Sequence, residues 1–173
     1  ADLSQPIANA RFRIEAVDGS WGPEEYTTSE DGTIDLSKLP VGAYVVTELE
    51  CPGYVIDEAQ RIIHLDGNET AQFVFTNSKL PSLHLTKISA DGSPLAGVTY
   101  SLTRIEDGSR YMDQTTSSTG TIVWDGLQPG VYSLRETDTL SDHILDPKEY
   151  HVELFPGKDG TIVLENDKRP NLT

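Results

Sequence analysis

The chain has 173 residues, with 28 acidic against 13 basic side chains and a formal net charge of −15. A surface this negative repels phosphate backbones and anionic lipid headgroups, which excludes nucleic acid and membrane surfaces as natural partners. One cysteine, Cys51, excludes an internal disulfide framework, and no apolar run reaches the length of a membrane span.

Taken in chain order, the elements come twice. "PIANARFRI" (6–14) matches "PLAGVTYSL" (94–102) at an offset of 94 − 6 = 88. At that offset "DGTI" (31–34) meets "TGTI" (119–122), and "LPVGAYVVTE" (39–48) meets "LQPGVYSLRE" (127–136). One residue of slip later, "FVFTN" (73–77) meets "IVLEN" (162–166). Conserved order and spacing of four blocks predict two homologous domains, 1–78 and 82–173, joined through "SKLPS".

Within each repeat the runs are short and alternate with period two: "GAYVVTE", "QRIIHL" and "AQFVFTN" in the first, "LHLTKIS" and "VYSLRET" in the second. They are bounded by turn chemistry such as "SADGSPL", "EDGS", "TSSTG" and "PGKDG". "LDPKEYHVEL" is expected to open with a helical turn; elsewhere no 3.6-residue period is sustained. Turn signals at this density predict an all-β chain of antiparallel sandwiches.

Alternation also sorts side chains by face. Lys87 shares its face with Leu83 and Leu85, Glu136 with Tyr132 and Leu134, and Asn166 with Ile162 and Leu164. Each polar group closes an inward row. Such a lysine either snorkels to water where its strand leaves the core, or sits in a buried ion pair, or reacts. The third outcome needs all three types: a desolvated amine to attack, a carboxamide to be attacked, and a carboxyl to carry protons.

"LTKISADGSPLAGVTYSL", "GLQPGVYSLRET" and "IVLENDK" resemble the B-type repeats of Gram-positive surface proteins, the collagen-adhesin B-type and SpaA-type pilin domains. The resemblance covers nearly all of both repeats. It implies two tandem immunoglobulin-like sandwiches of the inverse, prealbumin-like kind. It further implies a spontaneous isopeptide between Lys87 and Asn166, catalysed by Glu136. It places the chain outside the cell, on the wall-attached surface of a Gram-positive bacterium, as a structural segment of an adhesin or pilus subunit. Partners would be neighbouring domains of the same surface protein, with host extracellular matrix as the alternative. No cofactor and no membrane insertion are implied.

The first repeat keeps Glu48 and Asn77 at the matching positions, but 87 − 88 = −1 falls before Ala1. Lys38 and Lys79 are badly placed to replace the missing amine. Glu48 and Asn77 are therefore expected to stay unreacted, the lysine strand lying upstream or coming from another chain. The first domain should then carry an open sheet edge and be the less stable of the two.

Rival chemistry finds little support. There is no nucleophile elbow and no phosphate-binding glycine loop, and His64, His84, His143 and His151 lack metal-ligand spacing. His84 reads as an outward strand residue, and Cys51 as a small apolar filler. Trp21 and Tyr26 in "GSWGPEEY" are the aromatic pair that would contact a ligand if the chain were instead an adhesin module recognising host matrix protein or glycan.

Overall fold

A computed structural model describes residues 5–67 and 72–170 and divides the chain into two compact units, residues 1–79 and 80–173. All regular elements among the described residues are strands.

In the second unit, β7 (Leu83–Ser89), β10 (Thr121–Trp124) and β13 (Gly160–Asn166) form one sheet in the order β10-β7-β13. The facing sheet has the order β12-β11-β8-β9, from β8 (Thr99–Arg104), β9 (Gln114–Thr115), β11 (Gly130–Asp138) and β12 (Glu149–Leu154). All strand pairings of this unit are antiparallel except one: β13 runs parallel to β7, with Leu164 opposite Lys87 and Asn166 opposite Ser89. The first and last strands of the unit are thus neighbours.

The alternation explains the layers. Leu83 and Leu85 on β7, Tyr100 and Leu102 on β8, Ile122 and Trp124 on β10, and Tyr132 and Leu134 on β11 all point between the sheets and are buried. Each such side chain contributes about 1.5–3 kcal/mol by leaving water. His84 is exposed, as its parity requires.

The first unit repeats this plan with less material. β1 (Arg11–Ala16), β2 (Glu24–Thr27), β3 (Gly42–Glu50) and β5 (Gln60–Leu65) form a sheet in the order β2-β1-β3-β5. The opposite layer retains one ladder among the described residues, β4 (Tyr54–Ile56) with β6 (Asn77–Lys79). Its core has eight buried apolar residues against thirteen in the second unit, among the described residues.

Two expectations need correction. Of the strand read over "AQFVFTN", Ala71 lies outside the described residues, 72–76 make no ladder, and regular structure begins at Asn77. The reason lies in pairing: the corresponding β13 is held by β7, and no β7 counterpart occurs among the described residues of the first unit. Nor does "LDPKEYHVEL" open with a helical turn. Asp146 Oδ1 accepts from Lys148 N at 3.0 Å, a local turn that leads straight into β12.

Buried clamps recur at the repeat offset. Tyr44 OH donates to Pro40 O at 2.8 Å, and Tyr132 OH to Gln128 O at 2.6 Å. Thr28 Oγ1 accepts from Ala10 N and donates to Ile7 O, while Thr116 Oγ1 does the same with Val98 N and Leu95 O. Gly120, at φ +73°, lets the chain entering β10 approach β7 closely. A Cβ there would stand 2.4 Å from Lys87 O.

Candidate functional site

The three inward polar residues of the second unit meet. β7 supplies Lys87, its parallel neighbour β13 supplies Asn166, and β11 of the facing sheet supplies Glu136. Lys87 Nζ donates to Asn166 Oδ1 at 2.6 Å and lies 3.0 Å from Glu136 Oε2. Asn166 Nδ2 donates to Glu136 Oε1 at 2.6 Å. Lys87 is 0% exposed and Asn166 2%. A carboxylate and an ammonium held this far from water are costly apart, so each fixes the other.

Residues outside that trio complete the shell. Tyr100 OH donates to Glu136 Oε2 at 2.9 Å, and Lys87 Nζ stands 5.6 Å from the centre of the Tyr100 ring. Burial, and then the Glu136 charge, push the Tyr100 phenol far above its ordinary range, so it serves as a donor throughout. The segment after β11 folds over the site: Asn166 Nδ2 also donates to Thr139 Oγ1 at 3.0 Å, and Asp146 N donates to Glu136 Oε1 at 3.4 Å. Burial raises the Asp146 carboxyl, but donation from Tyr150 OH at 2.6 Å and from Lys148 N outweighs it and leaves the group below the ordinary range.

That segment is pinned from below. His143, 3% exposed, places Nε2 3.2 Å from Ser89 Oγ and Nδ1 2.8 Å from Asp142 Oδ1. The order Ser–His–Asp invites comparison with a hydrolase triad, but Ser89 is 0% exposed and no substrate can reach it. The relay fastens the 139–148 segment to the end of β7 beside Asn166.

The first unit holds half of this arrangement. Asn77 Nδ2 donates to Glu48 Oε1 at 2.6 Å, while Glu48 Oε2 is buried with no hydrogen-bond partner among the described residues. Burial lifts the Glu48 carboxyl above its ordinary value. Lys79 pairs with Tyr54 across β4 and β6 and is exposed, and Lys38 lies in the turn before β3. A groove of about 880 Å³ opens beside Glu48 and Asn77, lined by Phe12, Ile14, Val46 and Ile63. In the second unit the corresponding residues are covered by Leu83, Leu85 and Lys87 of β7. Cys51 is buried beside Glu48 and Asn77, and burial raises its thiol.

The aromatic pair stands apart from these groups. Trp21 packs edge-on against Tyr44 with ring centres 5.8 Å apart. Tyr26 lies on β2, half-buried against the same core, with its hydroxyl 3.2 Å from Glu24 Oε2. His64 and His151 are exposed, the latter 3.5 Å from Glu149.

Parity found the trio, but not what surrounds it. Tyr100 did carry a signal, since it shares the inward face of "VTYSL" with Val98 and Leu102, and a buried phenol needs a partner. Thr139 and His143 follow a strand end, where period two no longer assigns a face.

A family model described as the SpaA prealbumin-like fold domain matches the chain twice, over residues 1–79 and 81–168. Among solved structures, the shaft pilin SpaA of Lactobacillus rhamnosus GG is similar, with a TM-score of 0.55 at 13% identity over 98% of this chain and 90% of that one. The Bacillus anthracis TIE protein is also similar, with a TM-score of 0.52 at 23% identity over 96% of this chain. This chain spans 32% of that TIE chain. Among curated proteins, none matches. Identities this low carry the fold alone; the twofold family match carries membership. Two inverse sandwiches, each presenting an inward glutamate and asparagine, thus belong to the SpaA family of prealbumin-like fold domains.

Proposed function

We propose that the chain is a structural stalk segment of a Gram-positive surface adhesin or pilus subunit, exposed outside the cell on the wall. In this reading the second domain closes its own isopeptide between Lys87 and Asn166. The observation that carries it is the buried contact of Nζ with both Asn166 Oδ1 and Glu136 Oε2, at 2.6 and 3.0 Å.

The chemistry balances within the site. Glu136 accepts a proton from the Lys87 ammonium, and the freed lone pair of Nζ forms a bond to Asn166 Cγ. A proton passes to Nδ2, the Cγ–Nδ2 bond breaks, and ammonia departs. Of the two protons that Nζ sheds, one leaves on the ammonia. The other stays on Glu136 or departs with the leaving group as ammonium. Exclusion of water favours each neutral intermediate, and the folded core supplies the proximity an enzyme would otherwise provide. The reaction turns over once, so the domain is a self-modifying scaffold.

In the first domain the same chemistry stops at Glu48 and Asn77, which have no amine within reach among the described residues. The intact mass under denaturing, reducing conditions tests both statements. The expected value is one ammonia below the sequence mass, restored to the sequence mass in Lys87→Ala and in Glu136→Ala. An unmodified wild-type mass would refute the cross-link, and a loss of two ammonia molecules would refute the account of the first domain.

A further inference from the structure

The repeats carry the same Glu–Asn pair in different company. Tyr100 of the second corresponds to Phe12 of the first (100 − 88 = 12), and Thr139 to Cys51 (139 − 88 = 51). In the second domain both oxygens of Glu136 and both hydrogens of Asn166 Nδ2 are engaged, with Tyr100 OH on Oε2 and Thr139 Oγ1 on Nδ2. In the first, Phe12 offers no hydroxyl and packs edge-on against Phe75 at 5.2 Å, and Glu48 Oε2 is left without a partner among the described residues. A thiol accepts hydrogen bonds weakly, so Cys51 is a poor substitute for Thr139 at Asn77.

We propose that Thr139 and Tyr100 are positioning residues for the amide exchange at Asn166, and that Cys51 and Phe12 make the first repeat's pair an intrinsically slower site. The inference rests on the cross-link reading above. A carboxamide can turn over and exchange its oxygen for its nitrogen. Thr139 Oγ1 and Glu136 Oε1 together accept both hydrogens of Nδ2, which holds Oδ1 toward Lys87 and keeps the leaving nitrogen beside the carboxyl that serves it. Tyr100 acts on the other partner. Its hydroxyl fixes Oε2, the oxygen that faces Nζ, so that Oε1 stays on Nδ2. The carboxyl is thereby aligned with donor and leaving group at once.

The test is the rate of ammonia loss by the full chain, made by cell-free translation, quenched in acid at timed intervals and weighed intact. Thr139→Val and Tyr100→Phe should each slow the loss by about tenfold, the value of one oriented hydrogen bond. Thr139→Ser should retain the wild-type rate, and Thr139→Cys should fall between Ser and Val. Each variant is also made with Glu136→Gln, and a wild-type-like urea midpoint in that unreacting background separates positioning from folding. Should Thr139→Val misfold, the Ser against Cys comparison still decides. Wild-type rates in Val and Phe, or equal rates in Ser and Cys, would overturn the inference alone. A wild-type chain that keeps its ammonia would overturn the cross-link, and this inference with it.

Discussion

Replacing both members of the buried pair, as Lys87→Met with Glu136→Gln, would remove the proposed cross-link without leaving a lone ion in the core. Isosteric replacement of a buried pair is close to neutral in itself, so the loss measures the covalent closure. The two ends are 79 residues apart. By the loop-closure relation for cross-links, a loop of that length is worth about 4.5 kcal/mol through the unfolded chain. For a domain of this size, that corresponds to a fall of about 20 °C in Tm. Trp124 is 3% exposed in the second core, so its fluorescence in a Trp21→Phe background follows this domain alone. Thermal and urea melts of the double variant against wild type give the difference. A fall of less than about 5 °C would refute the closure argument.

Further outcomes follow from the same geometry. Gly120→Ala puts a Cβ 2.4 Å from Lys87 O at a φ of +73°, and should destabilise the second domain by at least about 2 kcal/mol in urea; a neutral result would refute the close approach. Burial holds the folded Glu48 carboxyl above its ordinary 4.5, so the unfolded chain ionises first as pH rises. The first domain should therefore lose stability from about pH 4.5 upward until the folded carboxyl has ionised, and Glu48→Gln should flatten that slope in urea midpoints read at successive pH values; an unchanged slope would refute the assignment.

Much of this architecture was legible because strands convert sequence order into geometry. Alternation alone put Leu83, Leu85 and Lys87 on one face, and a slip of one residue would have sent the lysine to water. The repeat then located Glu48 and Asn77 without any contact information. Pairing was harder to read. Nothing local in "TIVLEN" says that β13 lies parallel to β7, and nothing local in "FVFT" says that 73–76 make no ladder among the described residues of the first unit. Whether a strand forms a ladder depends on its neighbour. The lid was hardest. Thr139, His143 and Asp146 reach the site through turns, where side-chain direction follows individual backbone angles and no period applies.

The parallel pairing of β7 with β13 also sets how the second domain meets mechanical load. Force entering at Leu83 and leaving at Asn166 acts at opposite ends of one ladder, so its rungs are sheared together rather than peeled in turn. Lys87 lies four residues into β7, and Asn166 ends β13. With the isopeptide in place, tension crosses from one strand to the other at Lys87, and the 79-residue span between the two anchors stays slack. Extension under load is then confined to the few residues outside the anchors, and the sandwich behaves as an inextensible link whose length does not depend on whether its core is folded.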